Sequence, residues 1–259
     1  MRRIFLILFP ILIAGTFVIG CTNEDRSLPG GSSLTAPAAS AAKIVPDFPT
    51  DPGDFVAGID NPYLGFEPGR TFTYEGETDE GLETIVVEVT HDTRMILGVA
   101  TTVVHDRAYL DGELIEDTFD WYAQDADGNV WYFGEDSKEI DHGNVVSTEG
   151  SWEAGVNGAM PGVLMLADPV VGVSYQQEFA EDVAEDMARV LSLKKSVEVP
   201  YGTFDGCLMT AEWSHLEPGA REFKYYAQGV GLLLELSPSG GRSRVELVSI
   251  EDEVDTVGR

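Results

Sequence analysis

Basic residues are scarce in this chain. Against 45 Asp and Glu it carries 16 Lys and Arg, five of them lysines, and four His, for a formal net charge of −29. A surface of that sign repels phosphate backbones and anionic headgroups, which excludes nucleic acid as a partner. Cysteine is nearly missing: with only Cys21 and Cys207, no thiolate metal cluster can form. His91, His105, His142 and His215 do not pair at the short spacing of a helical zinc motif. No metal or other cofactor is expected. A Gly-x-Ser-x-Gly elbow is also missing, so nothing local supports a Ser–His–Asp site built from His105-Asp106 or Ser214-His215. After residue 21 no stretch is long and apolar enough to span a bilayer.

What the chain does have begins at its start. Arg2 and Arg3 are followed by an apolar run from Ile4 to Ile13, which closes on Val18-Ile19-Gly20-Cys21. A charged start, a short apolar core and small residues at the end make a secretory signal peptide over 1–20. The last four residues resemble the lipobox of bacterial lipoproteins, which implies cleavage before Cys21 and lipidation of Cys21, for example by palmitate. Positions 1–20 hold two arginines and no acid, so residues 21–259 carry 14 basic and 45 acidic side chains, a net of −31. Solubility explains such an excess as well as cation binding does. Thr22, rather than Asp, follows the cysteine. In that respect the chain is similar to lipoproteins sent to the outer membrane where a cell has two. The expectation is a domain outside the cytoplasm, held to the cell envelope by its acyl anchor.

Residues 21–45 lack periodicity and hold runs of Ser, Ala, Thr, Gly and Pro. Such a segment is a flexible tether spanning about 25–30 Å. From Pro46 the pattern has period two. Ile85, Val87 and Val89 alternate with Thr84, Val86 and Glu88, and Phe119, Trp121 and Ala123 alternate with Asp120, Tyr122 and Gln124. Asp111-Gly112, Asp127-Gly128-Asn129, Pro200-Tyr201-Gly202 and Asp205-Gly206 supply turns. Residues 46–259 therefore read as one all-β domain of antiparallel hairpins, either a curved half-barrel sheet or a sandwich. Helix is expected only over Glu181–Leu191, and Val190-Leu191-Ser192-Leu193 could equally open a strand.

Two stretches match in order. Glu67-Pro68-Gly69-Arg70 to Glu75 parallels Asp168 to Glu178, Val87-Glu88-Val89 parallels Val197-Glu198-Val199, and Phe119-Asp120-Trp121-Tyr122-Ala123-Gln124 parallels Phe223-Lys224-Tyr225-Tyr226-Ala227-Gln228. An internal duplication over about 61–140 and 165–250 is the natural reading. The charged members Asp120 and Lys224 share one strand face. The other face, with Phe119, Trp121, Phe223 and Tyr225, is then the apolar one, turned to core or ligand. By the same alternation Cys207 sits with Met209, Ala211 and Trp213 and is expected to be buried.

Val197-Glu198-Val199-Pro200-Tyr201-Gly202-Thr203-Phe204 with Tyr226-Ala227-Gln228-Gly229-Val230-Gly231-Leu232 resembles the half-barrel type of bacterial envelope lipoprotein carriers. Asp120 to Asp125, Asp127 to Glu135 and Gly150 to Gly155 resemble a family of exported bacterial lipoproteins of unassigned function, over most of 55–236. Neither resemblance brings a catalytic residue.

Three features invite chemistry. Asp125-Ala126-Asp127-Gly128-Asn129 places oxygens as a calcium loop does, but the ligands further along are missing and a hairpin turn explains it. Carboxylates cluster at Glu181, Asp182, Glu185 and Asp186 and at Glu113, Glu116, Asp117 and Asp120. In so acidic a chain these are solvated faces by default. Gly150–Asp168 is glycine-rich yet carries Trp152, Met160, Val163, Leu164, Met165 and Leu166. It is either a flap over the sheet or a connector between the two halves. The leading functional expectation is non-catalytic binding or scaffolding for an apolar small molecule or lipid, with Phe119, Trp121, Trp152, Phe223 and Tyr225 lining the site. An envelope hydrolase acting on glycan or ester through some of the carboxylates is the alternative, and a purely structural module is another.

Overall fold

The computed structural model describes residues 46–78, 80–238 and 243–253. The expected signal peptide, Cys21 and the expected tether, residues 1–45, lie outside the described residues. Beyond a 3-10 turn at Pro52–Asp54, every regular element is a strand. In chain order these are β1 (Arg70–Thr78), β2 (Gly81–Ile96), β3 (Val99–Leu110), β4 (Glu113–Gln124), β5 (Val130–Asp141), β6 (Asn144–Ser147), β7 (Trp152–Glu153) and β8 (Met160–Met165). They continue with β9 (Ser174–Gln176), β10 (Glu178–Phe179), β11 (Asp186–Val199), β12 (Gly202–Ser214), β13 (Glu222–Ala227), β14 (Gly231–Ser237) and β15 (Ser243–Asp252). The sequence-predicted helix does not form. Asp182 sits in a turn at φ 60°, and Asp186, Ala188 and Val190 alternate inward on β11, which pairs with β12 from Asp186↔Ser214 onward.

The strands form one antiparallel sheet in the order β10-β8-β5-β4-β3-β2-β1-β15-β14-β13-β12-β11-β9. Its two outer members, β9 and β10, are consecutive in the chain and separated by Gln177 alone. The curved antiparallel sheet therefore comes round on itself as a nearly closed barrel. Strands β1 to β5 run side by side, as do β9 and β11 to β14, and β8 and β15 join the two groups. The paired segments 119–124 and 223–228 thus lie at corresponding places, on β4 and β13.

The hairpins follow from their turn residues. Asp111 (φ 49°) and Gly112 (φ 83°) both take positive φ, which a two-residue turn between twisted strands requires. At the β4–β5 turn, Asp125 Oδ1 accepts from the backbone N–H of Asp127 (3.0 Å) and Asn129 (2.8 Å), and Oδ2 from Asn129 Nδ2 (3.0 Å) and Trp131 Nε1 (2.8 Å). That carboxylate is fully engaged in holding the hairpin.

The face assignment reverses the expectation. Asp120 and Tyr122 are 0% exposed and point into the barrel, as do Lys224 and Tyr226. Phe119, Phe223 and Tyr225 lie outside, half-buried, and Trp121 lies outside beneath the Arg94 guanidinium, 4.1 Å above its ring. Outside β5, Trp131 and Phe133 are covered by the strap that leads into the barrel. Phe48 packs on both at 5.1 and 5.9 Å, and Phe55 on Phe133 at 5.7 Å. Over β1 to β3 and on β15 the outer wall is polar, with Thr71, Thr73 and Glu75 on β1 and the ion pairs Arg107–Glu88 (2.9 Å) and Arg244–Glu246 (2.6 Å).

Gly150–Asp168 is not a flap. Its second half is β8, a wall strand between β5 and β10, and so a connector between the two groups. Cys207 is buried on β12, and burial pushes its thiol up.

Candidate functional site

Inside the barrel the residues divide into two zones. One is a layer of carboxyls. Glu83, Asp106, Glu116, Asp120, Glu135, Glu178, Glu212 and Glu235 are all buried, and among the described residues Lys224 is the one buried base. Its Nζ lies 2.9 Å from Glu212 Oε2 and 3.8 Å from Glu235 Oε2. Burial works to lower the Lys224 pKa, and the attraction of Glu212 and Glu235 overcomes it, holding the ammonium above its ordinary value.

Burial moves the carboxyls the other way. Desolvation pushes Glu83 up to about 7, helped by Glu222, and Glu222 itself up to about 7. It pushes Glu116 up to about 8 and Asp120 up to about 7, although a hydrogen bond from Tyr132 Oη (2.5 Å) restrains Asp120. Asp106, Glu135, Glu178 and Glu235 are held well above the carboxylate range by the same desolvation. At neutral pH much of this layer is protonated and acts as neutral hydrogen-bonding groups.

The other zone is the barrel mouth at the β4–β5 and β13–β14 turns. There the chain before β1 turns inward as a plug, residues 59–66, with Ile59, Tyr63, Leu64 and Phe66 all buried. Polar clamps hold it. Gln124 Oε1 accepts from Asp60 N (2.9 Å) and Asn61 N (2.8 Å), while Asn61 Nδ2 donates to Gly128 O (3.0 Å) and Leu166 O (3.2 Å). On the far side Gly229 N donates to Pro62 O (2.7 Å) and Gln228 Nε2 to Tyr63 Oη (3.0 Å). Gly65 and Gly231 let the backbones close up: a Cβ on Gly65 would stand 2.5 Å from Val230 O, and one on Gly231 2.7 Å from Leu64 O.

Beneath Leu64 and Phe66 lies a chamber walled by Tyr74, Val87, Tyr132, Leu164, Tyr226 and Leu232, with Gln177 and Lys224 at its polar side. Its volume is about 30 Å³, whereas small-molecule sites span hundreds. With the plug in, it is too small for a ligand. Outside, a wider cleft of about 480 Å³ runs along both stalks of the plug, between Val56–Asp60, Glu67–Pro68 and the Gln124–Gly128 turn.

The structure does not gather the five expected ligand residues. Trp152 alone is inside, where Nε1 donates to Glu178 Oε1 (3.3 Å) and its ring meets Tyr132 edge-on at 5.4 Å. Phe119 and Trp121 on β4 and Phe223 and Tyr225 on β13 face outward, six places apart along the sheet β4-β3-β2-β1-β15-β14-β13. The carboxylate clusters are split by the strand alternation, with Glu116, Asp120 and Asp186 turned inward and Glu113 and Asp117 outward. His105 and Asp106 sit on opposite faces. His105 Nε2 instead meets Asp117 Oδ1 at 2.6 Å and its ring stacks on Phe119 at 4.1 Å.

No protein-family model and no curated protein matches the sequence. Among solved structures, an exported-protein assignment with a YmcC-like fold from Bacteroides fragilis aligns at 14% identity over 76% of this chain and 100% of that one, with a TM-score of 0.44. A chain assigned as a lipoprotein from Parabacteroides distasonis aligns at 11% identity over 75% and 100%, TM-score 0.40. A β-barrel-like domain of unknown function from Brucella abortus aligns at 12% over 74% and 99%, TM-score 0.40.

Proposed function

We propose that this chain is an exported, lipid-anchored barrel of the bacterial cell envelope that binds an apolar ligand without transforming it, in the mouth chamber under the 59–66 plug. The observation that carries the reading is the plug itself: Leu64 and Phe66, on the segment that leads into β1, are buried in the barrel mouth and cap a chamber walled by Tyr74, Val87, Tyr132, Leu164, Tyr226 and Leu232. Binding is favoured over hydrolysis because the interior carboxyls, Asp120 and Glu135 among them, are sealed from water and from any substrate. A glycosidase needs both its carboxyls at an open cleft.

Two measurements test the two halves. Native mass spectrometry of the protein released from membranes in mild detergent is expected to show a lipid-sized adduct that organic extraction removes. A single adduct-free species across preparations would count against the binding reading. For the anchor, Cys21→Ser is expected to abolish palmitate labelling and release the protein from membranes, since stable anchoring depends on acyl chains contributing about 0.8 kcal/mol per buried CH₂. Undiminished labelling of the Ser variant would refute it.

A further inference from the structure

The barrel closes through a pairing of two residues, and carboxyl oxygens without hydrogen-bond partners gather there. β9 meets β11 at Gln176↔Met187, Tyr175↔Ala188 and Ser174↔Arg189, and β10 meets β8 only at Glu178↔Pro161 and Phe179↔Met160. Between the two pieces Gln177 donates its N–H to Asp186 O at 2.7 Å. Glu178 hangs from this seam into the interior, 0% exposed, and its Oε2 has no hydrogen-bond partner. Glu135 on β5, 1% exposed, has none for either oxygen, and Asp186 on β11 has none for Oδ1.

Glu178 keeps one donor, Trp152 Nε1, and Asp186 keeps Ser214, whereas Glu135, with a donor on neither oxygen, is sustained in the interior only while it carries a proton or an ion. Among the described residues, no three acidic, His or Cys side chains converge as a metal site would require. The groups facing this trio are Glu116, Asp120 and Tyr122 on β4, Tyr132 on β5, Glu212 on β12, Glu217 after it, and Glu222 and Lys224 on β13. Lys224, the one cation in that set, lies against Glu212.

We propose that β9–β10 is a gate latched by Glu135 and Glu178: shut while the pair holds a proton, and parting from β8 when both carboxyls are charged. Repulsion then acts across the two-residue contact, where the least pairing resists it. Burial raises both groups well above the carboxylate range, and charge on Glu178 raises Glu135 further. Opening would expose Gln177, which lines the mouth chamber, and so make a side entrance to it. The gate stands whether or not that chamber holds an apolar ligand.

The test is hydrogen–deuterium exchange of the purified protein at about pH 5.5 and about pH 8.5, corrected for intrinsic rates, well below melting. Peptides covering 160–165 and 174–180 are expected to lose protection on the order of tenfold more than peptides from β1 to β3. Glu135→Gln/Glu178→Gln should keep the seam protected at the higher pH. Uniform loss around the barrel, a seam still protected at high pH, or opening in the double variant equal to that of the original protein would each overturn the gate. Should the double variant fail to fold, Glu135→Gln alone, which removes one of the two charges, is read by the same criterion.

Discussion

Raising the pH from about 5 to about 9 is expected to lower the melting temperature of the purified protein by ~10 °C or more. The cause is the buried carboxyl layer. Glu83, Glu222 and Asp120 are pushed up to about 7 and Glu116 up to about 8. A group raised in the folded state keeps its proton there while the unfolded chain releases it. For these four groups stability is therefore full below the unfolded values near 4 and is lost as pH rises through the folded values of about 7 to 8. Each pH unit of displacement is worth about 1.4 kcal/mol. The groups interact and do not add simply, but a few together exceed ~5 kcal/mol, and ~1 kcal/mol moves the melting point of a domain this size by about 2–4 °C. Lys224 does not offset the trend, since its raised value puts its own loss above this window. A melting temperature flat or rising across the range would contradict the account of the interior.

Lys224→Met is expected to cost ~3–5 kcal/mol at pH 7, measured by urea denaturation. Methionine keeps the length and much of the volume, so the loss isolates the charge. Without the ammonium 2.9 Å from Glu212 and 3.8 Å from Glu235, Glu212 is left buried without its counter-charge, and Glu235, already raised by burial, must hold a proton. The cost should therefore shrink toward pH 5, where protons are freely supplied, and adding Glu212→Gln should recover part of it. A cost below ~1 kcal/mol at pH 7, or one equal at both pH values, would show that the buried pair does not hold this side of the barrel together.

Strand positions and turns were legible because they rest on local chemistry: period-two runs and residues such as Asp111-Gly112 that accept positive φ. The matched segments Phe119 to Gln124 and Phe223 to Gln228 were legible as strands, and they lie on β4 and β13. Which face turned inward was not. Charge normally marks solvent, so Asp120 and Lys224 suggested an outer face, and the aromatics on the other side looked like core. In a closed barrel both faces can be covered. Here the inner face carries carboxyls kept neutral by burial, while Trp121, Trp131 and Phe133 outside are shielded by Arg94 and by the strap with Phe48 and Phe55. One signal did exist. Tyr122 and Tyr226 share the parity of Asp120 and Lys224, and a stripe of Glu116, Thr118, Asp120 and Tyr122 is as consistent with a polar interior as with a surface.

The plug could not be found by periodicity at all. Asn61-Pro62-Tyr63-Leu64-Gly65-Phe66 reads as a loop, and its burial depends on Gln124, Gln228 and Leu166, more than sixty residues away in sequence. What places it is close backbone approach at Gly65 and Gly231, which only the assembled barrel reveals.

The most direct test of the proposed function is a titration with an environment-sensitive fluorescent single-chain fatty acid. The original protein and a Leu64→Ala/Phe66→Ala variant would be compared at a pH where both are folded. If the plug occupies the ligand's place, truncating it removes an internal competitor, and the variant should bind at least ~10-fold more tightly. Tyr132→Ala, at the chamber wall, should weaken that binding. Equal affinity in the original and plug-truncated proteins, or no saturable binding to either, would contradict the reading of the barrel mouth as an apolar ligand site.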